Sequence, residues 1–199
     1  MICRARHARC RLWILPVLLA LLSLLVTGCA EAWAGGRPRG DVVLRSPSCH
    51  CRFSYPAAWY FQPANGDPSR PLLGITSYDA SSADHAPIPT AFANIGIDWQ
   101  NDPLGQLYLA ATTRHFSPWP GHRLTVSGWP ATSYAHWTAP PAQGGVYVEH
   151  VYLFVPWYQR DYDLWFQAAN PPGHDIAPLH RVFADLLRTL TIVPPNAVP

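Results

Sequence analysis

Four arginines, Arg4, Arg6, Arg9 and Arg11, stand before an apolar run from Leu12 to Val26 that only Pro16 and Ser23 interrupt. A positive start followed by an apolar stretch of about 7–15 residues is an export signal, whereas a membrane-spanning helix needs about 20. The most apolar segment of the chain is therefore expected to take no part in the core. Whatever folds does so from residue 29 onward. Past residue 28 ten arginines face twelve acidic residues, a net charge of −2, and the chain has no lysine. That balance excludes a basic nucleic-acid binder. Apolar residues are 49% of the 199-residue chain and charged residues 13%, about half the usual share of roughly 25%. One core of ordinary size is within reach.

The apolar run ends in Val26-Thr27-Gly28-Cys29. On its length and flanks alone the segment also fits an ordinary cleaved signal peptide or an uncleaved anchor. The four residues resemble the lipobox of bacterial lipoproteins. The resemblance implies that residues 1–28 are removed and that Cys29 becomes the first residue of the mature chain, carrying a thioether diacylglyceryl group, usually with further acylation, palmitate for example, of the new N-terminus. Two or more chains are what stable anchoring requires. Residues 29–48, with Gly35-Gly36, Pro38, Gly40 and Pro47 and no apolar period, read as a flexible tether.

Strand-like runs dominate from residue 51. They are Arg52–Tyr55 leading through Pro56 to Trp59–Phe61, then Leu72–Tyr78, and Phe92–Trp99 with Ile95, Ile97 and Trp99 on one face. Leu124–Val126, Tyr134–Trp137 and a long hairpin of Val146–Val155 with Tyr162–Ala168 follow. Aromatic and β-branched enrichment supports each. Two segments read as helices. Asp102-Pro103 is an N-cap and N1 pair ahead of Leu104, Leu107 and Ala111. Asp175 precedes Ile176, Leu179, Val182, Phe183, Leu186 and Leu190, an apolar stripe suited to packing on a sheet. Thr191–Val193 reads as a short last strand. The expectation is an α+β domain over 49–193, mainly antiparallel, with a tail over 194–199.

The motif Phe53-Ser54-Tyr55-Pro56-x-x-Trp59, the element Gly128-x-Pro130-Ala131 and the ending Phe183-x-x-Leu186-Leu187-x-x-Leu190-x-Ile192 resemble the start, middle and end of PsbP-like and Mog1-like domains. The resemblance covers most of residues 50–193. It implies an α/β/α sandwich with a central antiparallel sheet. Photosystem II extrinsic subunits and many exported lipoproteins are members, most without known catalytic activity, so it supplies no catalytic residue.

The sequence contains no G-x-S-x-G, S-x-x-K, H-E-x-x-H or P-loop motif. Only two glutamates exist, Glu31 and Glu149. Glu149 and His150 are strand neighbours that point to opposite faces and cannot act as a pair; Glu149 is expected in solvent. Asp161 and Asp163 share a face beside a turn and are expected to be solvated. The histidines are scattered and read as surface or loop residues, His180 lying beside Asp175 or Asp185.

The one dense constellation is Cys49-His50-Cys51. In an exported protein two cysteines usually pair. In an extended chain their Cα atoms would stand about 6.5 Å apart, near the upper limit for a disulfide. Two thiolates and an imidazole also suit Cu(I) or Zn(II), although a closed zinc site needs more ligands. Disulfide, metal ligation and free thiols are thus all open. An exposed, oxidised pair without metal is the choice that needs no borrowed ligand. Most of the nine tryptophans and nine tyrosines are expected in the core. Trp119, in Ser-Pro-Trp-Pro, and Trp157-Tyr158 fall in turns, where exposed rings are contacts for a protein partner or an apolar ligand.

These readings lead to a lipid-anchored protein on the extracytoplasmic face of the cell membrane. Its domain is expected to act as a non-catalytic binding or assembly module without a cofactor. The alternative is a thiol- or metal-handling envelope protein using Cys49, His50 and Cys51.

Overall fold

The computed structural model describes residues 40–63, 71–80, 89–112, 120–171 and 174–197. The export segment with Cys29, most of the expected tether, and Trp119 lie outside the described residues. None of the described helices is long and apolar enough to cross a membrane.

Among the described residues ten strands form two sheets. A three-stranded sheet has the order β1 (Asp41–Ser46), β2 (Cys51–Pro56), β10 (Thr191–Ile192). A seven-stranded sheet has the order β3 (Tyr60–Gln62), β4 (Leu72–Thr76), β5 (Phe92–Asn101), β9 (Arg160–Ala169), β8 (Tyr147–Val155), β7 (Trp129–Trp137), β6 (His122–Val126). Every pairing is antiparallel. Among the described residues two α-helices accompany the sheets, α1 (Gln106–Thr112) and α2 (Ala177–Thr189). The class is α+β and sheet-dominated, with the long hairpin β8–β9 at its centre.

Period-two alternation decides what each face of the large sheet touches. One face carries Ile95 and Ile97 of β5, Leu164 and Phe166 of β9, and Val151 and Leu153 of β8, all with at most 1% exposure. Against it pack Phe53 of β2 and Phe183 and Leu186 of α2, equally buried. Ser54 N–H donates to Thr189 Oγ1, so α2 and the small sheet lie side by side in one layer. The opposite face receives α1, whose Leu107, Tyr108 and Ala111 meet Tyr134 and Tyr152. Gly96 is on this second face because any Cβ there would run into the Trp165 ring.

The first helix starts later than expected. Gly105 adopts φ +60° and α1 begins at Gln106, yet Asp102 still caps it: its carboxylate accepts from the Leu104 and Leu107 N–H groups at 3.1 Å each. Asp175 likewise accepts from Ala177 N–H at 2.9 Å, one residue ahead of the assigned N-cap. The tether needs a larger correction. Asp41–Ser46, assigned by sequence to the flexible segment ending at 48, is strand β1, paired residue for residue with β2 from Asp41–Pro56 to Ser46–Cys51.

Candidate functional site

Among the described residues three places bring chemistry-bearing side chains together. The first is the turn joining β1 to β2. Here Cys49 and Cys51 form a disulfide with Cα atoms 5.2 Å apart. The approach is closer than in an extended strand because His50 takes φ 51°. The expectation of an exposed junction is corrected: Cys49 is 0% and Cys51 1% exposed. His50 stacks on Tyr158 at 4.1 Å with the rings almost parallel. Tyr158 donates to the Val193 carbonyl, Tyr162 donates to the Cys49 carbonyl, and Arg160 donates to the Ser48 carbonyl. Burial and the neighbouring Arg160 charge lower the pKa of His50. Tyr158 is therefore a brace for the turn rather than a free contact. Trp157, its neighbour, is 51% exposed with one edge on Trp129.

The second place lies between α2 and β8. Glu149 accepts hydrogen bonds from Ser133 at 2.7 Å and from Tyr147 at 3.2 Å, and stands 2.7 Å from His180 Nε2. Its side chain is only 12% exposed, not solvated as expected, and His180 pairs with it rather than with Asp175 or Asp185. Burial by itself raises the Glu149 pKa; the bonds from His180, Ser133 and Tyr147 outweigh it and leave the carboxyl below its usual range. Burial and the Glu149 charge together push the Tyr147 phenol up. The cluster holds a histidine, a carboxylate and two hydroxyls, but both hydroxyls spend their protons on the carboxylate. Neither is poised as a nucleophile.

The third place is a shallow cleft on the α1 side, lined by Asp98, Gln100, Leu107, Asp161 and Asp163. Asp161 and Asp163 share a face as expected, but at 1% and 9% exposure they are buried rather than solvated. His150 Nδ1 lies 3.0 Å from Asp163. Asp161 and Asp102 both accept from Leu107 N–H, at 3.2 and 3.1 Å. Burial, then the hydrogen bond and charge of Asp102, raise the Asp161 pKa to about 7, while Asp102 is held low by that same bond. Among the described residues no group of three or more His, Cys, Asp or Glu side chains could hold a metal ion.

Sequence reasoning singled out the first place and missed the other two. Glu149 and Asp161 were legible as positions on a face; what covers that face was not. The spacing of Ser133, Glu149 and His180 over 47 positions leaves no local signature.

No protein-family model matches the chain, and none of the curated proteins does. Among solved structures it is similar to the Ran-binding protein Mog1p of Saccharomyces cerevisiae, with a TM-score of 0.47 and 9% identity over 81% of this chain and 100% of that one. A mutant of the protein Mog1 gives the same TM-score at 10% identity, covering 79% of this chain and 98% of that one.

Proposed function

We propose that the chain is an exported lipoprotein, held to the membrane by acyl chains on Cys29, whose α/β/α domain of the PsbP/Mog1-like kind binds or assembles with a partner and performs no catalysis. The observation that carries this reading is the buried Cys49–Cys51 bond. A disulfide built into the core belongs to a protein that folds in an oxidising compartment. It lies twenty residues past Cys29, in a chain that opens with an export pattern. The layer order supports the domain assignment, since α2 and α1 pack on opposite faces of the large sheet. The state of the side chains supports a binding role, because Ser133, Tyr147 and His180 are all committed to Glu149.

Thiol or metal handling is the second reading. It requires Cys49 and Cys51 to be reduced and reachable, and their burial counts against it. The test uses the intact protein: cells expressing the full chain are labelled with a palmitate analogue, fractionated, and crosslinked before solubilisation. Label on the wild type but not on Cys29→Ser, together with a discrete crosslinked complex, supports the proposal. Labelled protein with no complex, and about one equivalent of bound copper or zinc instead, favours the second reading.

A further inference from the structure

The small-sheet layer of the described domain presents an exposed pair of arginines. On the outer face of the small sheet Arg45 and Arg52 are directly opposed across β1 and β2. Both are exposed, and neither forms a salt bridge among the described residues. Side chains so opposed have Cβ atoms about 4.5–5.5 Å apart, and like charges there destabilise the sheet. In the same layer α2 turns Arg181 outward, with Arg188 paired to Asp185 at 3.2 Å. Asp41 is the small sheet's only acid on that face. The other side of the molecule carries Asp98 and Asp102, the buried Asp161 and Asp163, and on β6 the exposed Arg123.

We infer that the arginine layer docks on the anionic headgroups of the bilayer, with Arg45 and Arg52 as the main contacts and Val43 beside them on the same face. The inference rests on the lipid-anchored reading of Cys29. Two observations select this occupant. The first is charge: an unrelieved arginine pair that the fold itself does not need meets a surface rich in phosphate. The second is chain length. Only residues 30–40 separate Cys29 from β1, a reach on the order of 40 Å at full stretch. The arginines follow within the first two strands, and Val43, on their face, is 49% exposed. The domain is then oriented, with its aspartate-lined cleft turned away from the membrane.

The test reconstitutes the full-length lipidated protein into phosphatidylcholine vesicles with and without phosphatidylglycerol. Val43→Cys and, separately, Leu109→Cys on exposed α1 are labelled with an impermeant maleimide. The expected result is slower labelling of Val43→Cys on anionic vesicles only, reversed by high salt, with Leu109→Cys labelled alike on both. Adding Arg45→Gln and Arg52→Gln removes about fivefold of protection for each arginine. Equal labelling of Val43→Cys on both vesicles, or protection of Leu109→Cys instead, overturns docking. Failure of the wild type to float with neutral vesicles contradicts the anchor alone. Docking is then decided by sedimentation of that unlipidated chain with anionic vesicles, where binding lost in the double arginine variant upholds it and no binding overturns it.

Discussion

His180 Nε2 and Glu149 Oε2 stand 2.7 Å apart across the contact between α2 and β8, joining the last helix to the central hairpin. The same carboxylate accepts from Ser133 and Tyr147. Glu149→Ala removes the acceptor of three groups at once and is expected to cost about 2–4 kcal/mol, most of it from stranded donors. Because the folded-state pKa of Glu149 is depressed below 4.5, its contribution is present above that value and lost as pH falls through the folded one. Glu149→Gln should therefore flatten the acid limb of the stability curve. Urea midpoints of both proteins from neutral pH down to about pH 3 check this; parallel acid limbs contradict it.

Asp161 works in the opposite direction. Its folded-state pKa is raised from 3.8 to about 7, so the folded protein holds the proton more tightly than the unfolded chain. The favourable effect is complete below about pH 4 and is lost as pH rises through about 7. Asp161→Asn, which keeps the neutral shape, should be relatively more stable than the wild type at pH 8 than at pH 4. The measurement is the difference in melting temperature between the two proteins across that range; a difference independent of pH would contradict the raised pKa of Asp161.

The strand pattern was readable because β5, β8 and β9 alternate over nine or ten residues each. Strand β1 was not. Its Val42-Val43-Leu44 is short, lies among glycines and prolines, and leaves Val42 and Val43 exposed at a sheet edge. Only pairing with β2 makes it a strand. Alternation also tells which residues share a face but not which layer lands on it. Glu149 was placed in solvent for that reason, although α2 brings His180 to it. The Cys49–Cys51 geometry escaped because the left-handed turn at His50 is stabilised by Tyr158 from β8–β9, far away in sequence.

The disulfide closes a loop of three residues, so little of its effect comes from chain entropy. Cys49→Ser/Cys51→Ser leaves two buried hydroxyls in its place and is expected to lose about 2–4 kcal/mol. A thiol count on the unfolded wild type without reductant should read zero for this pair. A double variant with an unchanged melting temperature would mean that the bond is not part of the core.

Phe183 and Leu186 are fully buried, and Phe183 stacks on Phe166 with ring centroids 5.4 Å apart. Phe183→Ala and Leu186→Ala should each cost about 2–5 kcal/mol. Denaturant titration reads the loss, and a cost below about 1 kcal/mol in either would place α2 outside the core.

The central claim is that the mature protein begins at Cys29 and carries acyl chains there. Intact-mass and N-terminal analysis of the full-length gene product, extracted from membranes of the expressing cells, tests it most directly. The account predicts a chain starting at Cys29 with the added mass of a diacylglyceryl group, and its absence in Cys29→Ser. A mature N-terminus at any other residue, or a Cys29 terminus without lipid, contradicts it.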